Sequence, residues 1–404
     1  MKTIPRYITP RLLDALKVSP VVFLNGARQS GKSTLVQTLA DQIGGNTDHP
    51  ADYVSFDRAT QMAAAAAAPE AFLKNFKNAL IIDEVQMVPE LFAVLKVVVD
   101  ELRLQVGEHA NGKYFLTGSS NILALPKLSD SLVGRMTVLT LYPFSTVEAS
   151  QGKGDGLERI LAMDFSNLTD CGIDLIHAIK RSTFPEIADK DFKERTIWFE
   201  GYLTTLLQRD VRQLADLEKI SLLPTLIRVL SVRAGGLIND SDISREVGLN
   251  SVTGKFYRNI LKMMFLTFDI PPWHRNLGKR LVKASKGYIS DTSLLCHMLD
   301  LNIDVIHLNR PDLFGHIVEN YSATELKKLL SFSNIRAQLF HFRTSDGKEE
   351  VDFVLEKPDG RIFGIEIKKA EIVNPNDFKG LKALASLAKK EFIGGIVLYS
   401  GKNV

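Results

Sequence analysis

Cysteine is almost absent from this chain. Two residues, Cys171 and Cys296, occur among 404, and they have no metal-like spacing. That excludes a disulfide framework and a cysteine-built zinc site, and it fits a reducing compartment, with both thiols read as small buried hydrophobes. Long hydrophobic runs are missing as well: no apolar stretch approaches the roughly 20 residues that a bilayer span needs. The first residues, Met1-Lys2-Thr3-Ile4-Pro5-Arg6, carry charge but neither an apolar segment nor a small-residue cleavage site. This argues against a secretory signal, and the expectation is a cytoplasmic protein with no membrane partner. Net charge is small too, +3, too little to imply a polyanionic partner by itself. What remains is a soluble globular composition, 45% apolar and 24% charged. At about 150 residues per domain the length suits two or three domains.

The pattern changes twice along the chain, which predicts domains over 1–160, 161–305 and 306–404. The first segment alternates short apolar runs with helical patterns, as an α/β domain with a parallel sheet does. Strands are expected at Val21–Asn25, Tyr53–Phe56, Ala79–Asp83, Tyr114–Thr117 and Thr137–Leu141, with a helix over Lys32–Gln42 and a short one through Ala63–Ala68 before Pro69. In the second segment amphipathic helices dominate, with Trp198, Tyr202, Thr205 and Leu206 on one face. The third offers a helix around Ile317–Leu330, strands at Leu339–Arg343, Glu350–Glu356 and Arg361–Lys368, a helix Phe378–Lys390 and a last strand Phe392–Tyr399. Asp346-Gly347 and Pro358-Asp359-Gly360 supply the turns between them.

Gly26-Ala27-Arg28-Gln29-Ser30-Gly31-Lys32-Ser33, with Thr34 behind it, matches the phosphate-binding P-loop and stands between a buried strand and a helix start, where its mechanism requires. Glycines let backbone N–H groups turn around phosphates, the helix N-terminus adds partial positive charge, Lys32 serves the terminal phosphates and the Ser33 hydroxyl can ligate Mg2+. About fifty residues on, Leu80-Ile81-Ile82-Asp83-Glu84 ends a strand in two acids. Asp83 is the expected second anchor for the metal and Glu84 the residue that orients water. Ser119, in Thr117-Gly118-Ser119-Ser120, is placed to sense the γ-phosphate. Arg135, in Ser131-Leu132-Val133-Gly134-Arg135, is a candidate for stabilising transition-state charge in the same or a neighbouring subunit, and a surface ion pair explains it equally well. A homo-oligomer is compatible with the second role.

In the middle segment, Ser241–Leu249 and the helix that follows Asn250-Ser251 have helix-turn-helix spacing. Val252, Phe256, Ile260 and Leu261 are expected to face the core, leaving Thr253, Lys255, Arg258 and Asn259 outward. Between Trp273 and Tyr288 stand Arg275, Lys279, Arg280, Lys283 and Lys286 and no acid, at the place of a β-wing. Thr253, Lys255, Arg258, Lys279, Arg280 and Lys283 are therefore the candidate DNA contacts, with phosphate-directed cations adding sequence-independent affinity. Such modules also serve in protein–protein contacts.

The C-terminal segment carries Asp352 on one strand and Glu366-Ile367-Lys368 on the next, so alternation puts Glu366 and Lys368 on one face. Glu319, in the preceding helix, is a third acid. The order resembles that of the restriction-endonuclease-like fold, in which Asp352, Glu366 and Glu319 would hold a metal and Lys368 would position water or offset phosphate charge. Such folds also persist as binding domains.

The chain as a whole resembles the prokaryotic AAA-type ATPases that carry a C-terminal domain of unknown function numbered 4143. Gly26 through Leu35, Asp83-Glu84-Val85-Gln86, Leu116 through Ser120, Leu132 through Arg135 and Tyr142-Pro143-Phe144-Ser145 stand in the family's order. Phe184-Pro185-Glu186, Tyr202-Leu203-Thr204-Thr205 with Arg209-Asp210, and Lys279-Arg280-Leu281 with Asp291-Thr292 extend it. Ser182-Thr183 departs from the glycines usual before Phe-Pro-Glu. The resemblance implies a P-loop NTPase sheet, then a helical, winged-helix-like domain and a small α/β restriction-endonuclease-like domain, with ATP and Mg2+ as cofactors. The favoured function is ATP hydrolysis coupled to action on DNA, with or without cleavage. The alternative is an ATP-gated switch or scaffold whose C-terminal domain binds a protein.

Overall fold

A computed structural model describes residues 4–44, 50–119, 132–166, 172–207, 211 and 219–401, the side chains of Lys279, Leu281 and Val282 aside. Cys171, Ser120, Ser131, Arg209, Asp210 and the side chain of Lys279 therefore lie outside the described residues. Two compact units make up the chain. One holds Met1–Pro143 together with Met263–Phe265, the other Phe144–Lys262 and Leu266–Val404.

The first unit is built on five strands: β1 Val21–Asn25, β2 Asp52–Ser55, β3 Leu80–Asp83, β4 Tyr114–Gly118 and β5 Met136–Thr140. Their order is β2-β3-β4-β1-β5, and every pairing is parallel. β1, β3 and β4 are buried along their whole length, which is why they read as unbroken apolar runs rather than alternating ones. Parallel order brings all five strand ends to one edge of the sheet, where α/β folds bind ligands. The alanine run forms a helix over Ala59–Ala67 and a new helix starts at Pro69, as Ala and Pro propensities require. The helix expected over Lys32–Gln42 is instead two pieces, Lys32–Thr38 and Ala40–Ile43, parted at Leu39.

In the second unit, helices lead to two antiparallel strands, β6 Thr267–Ile270 and β7 Lys286–Ile289, then the long helix Pro311–Phe332 and a four-stranded sheet. That sheet comprises β8 Gln338–Arg343, β9 Glu350–Glu356, β10 Ile362–Lys368 and β11 Phe392–Tyr399, in the order β11-β10-β9-β8. β8, β9 and β10 are antiparallel neighbours, and β11 joins parallel to β10 after the helix Lys379–Ala388. Phe353, Leu355, Phe363 and Ile365 pack with Ala323 and Leu326 of the long helix, while Val354 and Ile362 pack with Leu381 and Leu384.

The chain forms two compact units that meet at Pro143/Phe144, and the expected second and third domains lie together in the second of them. The reason is a shared core. Leu157, Phe268, Ile270 and Tyr288, from before residue 305, lie in one buried cluster with Ala323, Phe353, Leu355, Phe363 and Ile365. Trp273 packs into the second cluster, against Phe340 and Phe342, and its backbone N–H donates to the His341 carbonyl at 2.6 Å. The expected wing differs as well, because the stretch between β6 and β7 contains a helix, Leu277–Val282.

Residues 306–404 expressed alone should therefore fail to unfold cooperatively, since half of one core would face water. Residues 144–404 should give a cooperative transition, and thermal denaturation followed by circular dichroism compares the two.

Candidate functional site

Gly26 follows directly on β1, with φ at +152°. A Cβ there would lie 2.2 Å from the Leu141 carbonyl oxygen, so no residue with a side chain fits. Gln29 takes a left-handed φ of 63° and Gly31 one of 94°, turning the loop into the helix that begins at Lys32. Successive residues of this kind make a concavity of N–H groups suited to an anion. Arg6 clamps the loop from outside, donating to the Ser30 carbonyl at 2.8 Å and to the Tyr142 carbonyl at 2.6 Å. The Ser30 hydroxyl is buried and has no hydrogen-bond partner among the described residues. Lys32 is buried, and its ammonium donates to the Gly26 and Ala27 carbonyls at 3.0 and 2.9 Å. Burial pushes its pKa down to about 8 against the pull of Glu84 and Asp83, with Arg28 adding to the fall.

Strand register places the remaining groups at the same edge. Asn25 pairs with Gly118, and Ser55 with Asp83. Asp83 is 3% exposed. It accepts from the Tyr53 hydroxyl at 2.7 Å and from the Thr117 hydroxyl. Burial, with help from Asp83, raises the Tyr53 phenol to about 12, so it stays a donor. Glu84, directly after β3, has a left-handed φ of 58°. Its carboxylate accepts from the Gln86 amide, which also donates to the Ser119 hydroxyl at 2.9 Å. Glu84, Gln86 and Ser119 thus form one chain across β3 and β4. Tyr53 and Arg6 were missed by motif reading, and Gln86, which stands in the motif after the two acids, was given no role by it.

Arg135 belongs elsewhere. Its carbonyl accepts from the Val21 N–H at 3.2 Å, which puts it beside the start of β1, whereas the loop leaves from the end. Five strand residues separate the two, about 16 Å at 3.3 Å per residue. Asp100 also holds the guanidinium by two bonds, at 2.6 and 2.8 Å. Within one chain Arg135 is a structural residue, and the same-subunit role is withdrawn.

The basic region is corrected too. On the helix Ser251–Met263, Val252 is 81% exposed and Phe256 47%, while Arg258 is buried. A Cβ on Gly254 would come within 1.9 Å of the Ser244 hydroxyl, so the neighbouring helix presses on that side. Ile260 and Leu261 are buried as expected, and the inward side is completed by Gly254, Tyr257 and Arg258 in place of Val252 and Phe256. Arg258 pairs with Asp240 and Asp269, each at 2.8 Å. Arg280 donates to both oxygens of Glu356, at 2.5 and 2.8 Å, and lies over the rings of Trp273 and Phe340. Neither guanidinium is presented to a duplex. Lys255, Asn259 and Lys283 are exposed and Thr253 is half-buried.

The departure at Ser182-Thr183 has a structural use. Lys328 donates to the Ser182 hydroxyl at 2.6 Å and to the Phe144 carbonyl at 2.9 Å, and Ser182 in turn donates to Glu325.

In the C-terminal sheet the three predicted acids do converge. Glu319 and Asp352 meet at the Lys286 ammonium, 3.0 and 3.4 Å away. Glu366 accepts from Lys368 at 2.7 Å and from the Asp352 N–H at 3.4 Å. Burial works against the Lys286 charge, but Glu319 and Asp352 outweigh it and hold the ammonium above its usual range. Burial, then repulsion from Asp352, raises Glu366 to about 7 in spite of Lys368. Burial likewise raises Glu319. Among the described residues no group of three His, Cys, Asp or Glu side chains is arranged to hold a metal. The cluster meets around an amine rather than forming the expected metal cradle, because a lysine outside the motif enters from β7.

Residues 18–150 match the model of the AAA domain, and residues 314–404 that of a domain of unknown function, DUF4143. The chain carries an AAA domain followed by a DUF4143 domain. Between these two, residues 173–304 match a further domain of unknown function, DUF8612. Similar curated proteins are the uncharacterized proteins Rv2008c of Mycobacterium tuberculosis and Mb2031c of Mycobacterium bovis, each 27% identical over 362 residues, or 89% of this chain and 72% of the relative. Among solved structures, replication initiator DnaA bound to AMPPCP and single-stranded DNA covers 63% of this chain and 86% of its own, at 14% identity and a TM-score of 0.30. Cdc6p from Pyrobaculum aerophilum covers 80% and 96%, at 10% identity and a TM-score of 0.29. The fold of the AAA domain rests on the family match and on its own strand order.

Two outcomes are expected. A bound triphosphate raises the Lys32 pKa from about 8, so binding takes up a proton above that pH. ATP affinity should be flat below pH 8 and fall by up to about tenfold per unit above it, as read by titration with a fluorescent nucleotide. Arg280→Ala leaves Glu356 half-buried and unpaired, and should cost the second unit about 3 kcal/mol in chemical denaturation.

Proposed function

We propose that this protein is a magnesium-dependent ATPase working in the cytoplasm as a nucleotide-driven switch, whose second unit recognises a protein partner. The observation that carries the ATPase reading is the joint placement of the P-loop, Asp83 and Glu84 at one sheet edge.

The residues fit the nucleotide they are assigned to. Gly26 is a position that a side chain would block, and the Ser30 hydroxyl lies buried in the loop without a partner among the described residues. Backbone N–H groups from Gly26 to Thr34, including those of Ala27, Arg28, Gln29 and Ser30, would cradle the phosphates, and Lys32 would supply their counter-charge. The Ser33 hydroxyl and Asp83 would hold Mg2+, which supplies charge neutralisation at the phosphates. Tyr53 and Thr117 orient the Asp83 carboxylate by hydrogen bonds. Glu84 orients the attacking water and polarises it toward losing its proton, with Gln86 and Ser119 fixing the carboxylate's direction.

The partner class follows from the second unit's surface. Arg258 and Arg280 are spent on internal pairs, and the exposed side of the helix Ser251–Met263 carries Val252 and Phe256 beside Lys255. An apolar strip of this kind suits a protein surface better than a phosphate backbone. DNA remains the second reading on the strength of Lys255 and Lys283, which are exposed, and of Thr253 and Lys279. Cleavage at Asp352 and Glu366 is no part of the proposal, since Lys286 stands among the acids.

Lys32→Ala should lose nucleotide binding. Glu84→Gln should bind ATP with near wild-type affinity and turn it over about 100-fold more slowly, the loss expected for removing a general base. Wild-type turnover in Glu84→Gln would overturn the role given to that residue. Duplex binding that weakens with salt and is lost in Lys255→Glu/Lys283→Glu would move the partner from protein to DNA.

A further inference from the structure

In the carboxylate cluster of the DUF4143 domain each oxygen of the two strand acids accepts from one donor of the protein. Asp352 takes the Lys286 ammonium on one oxygen at 3.4 Å and the Ile367 N–H on the other at 2.9 Å. Glu366 takes Lys368 on one oxygen at 2.7 Å and the Asp352 N–H on the other at 3.4 Å. Glu319 receives Lys286 at 3.0 Å and the Tyr288 hydroxyl at 2.9 Å on the same oxygen. A divalent ion bound here would take an oxygen from one or two of these carboxylates, at about 2.1 Å for Mg2+ with water completing its shell, and would compete with the donors already there.

Lys286 is not a side chain that happens to lean in. Its backbone is fixed on both sides, paired with Ile270 of β6 and bridged to Leu237. Gly235, two residues before that bridge, carries a φ of +82°, and a Cβ on it would stand 3.1 Å from a Glu319 oxygen. Gly235 and Gly287 are joined by a backbone bond of 2.8 Å, so the segment bearing the lysine is closed around Glu319. The lysine comes from the segment that matches DUF8612, outside the one that supplies the acids.

We propose that the Lys286 ammonium is the built-in cation of this cluster, standing where a divalent metal would sit, so that the DUF4143 domain of this protein is held together without metal and does not cleave phosphodiesters. Three carboxylates facing one another in a protein interior need a positive partner. A metal supplies it in a phosphodiesterase, and here Lys286, with Lys368 at Glu366, supplies it covalently. Removing the amine leaves Glu319 and Asp352 facing each other without the cation they share, which is the condition for capturing one.

The test counts bound Mn2+ by electron paramagnetic resonance on the full chain without nucleotide. Wild type should bind no Mn2+ that Asp352→Asn removes. Lys286→Met should gain one such ion per chain, with a rise in melting temperature on adding Mn2+, and Lys286→Met/Asp352→Asn should lose both. Lys286→Arg, which keeps the charge, should gain no ion and covers the case in which Lys286→Met fails to fold. A wild-type Mn2+ site abolished by Asp352→Asn would overturn the proposal, as would a folded Lys286→Met chain without one. ATP turnover in the same variants reads the first unit separately, so failure of this inference and failure of the ATPase reading are distinguishable.

Discussion

The first unit depends on one backbone arrangement: β1 held between β4 and β5, ending in a glycine pressed against the Leu141 carbonyl. Pairing on both sides fixes the direction in which the chain leaves β1. The absence of a Cβ at Gly26 lets it turn at once. Everything chemical then follows from register. Asp83 ends β3 and Thr117 lies next to the end of β4, so their side chains meet without any long-range search. Moving a strand by one residue would send these side chains to the opposite face.

Much of this was legible in the sequence because it is local. A buried parallel strand reads as an apolar run, and a P-loop is contiguous in sequence. The left-handed turns at Gln29 and Glu84 were not legible, since neither residue type demands that conformation. Nor was the Arg6 clamp, which joins residues 24 and 136 positions apart. Arg135 shows the opposite failure: the motif was found, but its end of the strand was not read, and the Asp100 partner lies 35 residues earlier.

Charge was the least legible property. The stretch from Trp273 to Tyr288 holds no acid, which suggested cations free for a polyanion. The acids arrive through folding, Glu356 to Arg280 and Glu319 with Asp352 to Lys286, across 76, 33 and 66 positions. On the helix Ser251–Met263 the second half was read correctly, with Ile260 and Leu261 buried, and the first half was not. Gly254 marks the point of close helix approach, and giving it that weight instead of treating it as a neutral spacer would have turned Val252 outward and Arg258 inward.

The core that Leu157, Phe268 and Tyr288 share with the C-terminal sheet sets a rule for exchange among relatives. A DUF4143 segment grafted from one protein onto another would bring its acids but leave behind the β7 lysine and the aromatic rings that cover its sheet. Functional chimeras should therefore be cut at Pro143/Phe144, and the segments that match DUF8612 and DUF4143 should travel between proteins as one inherited block.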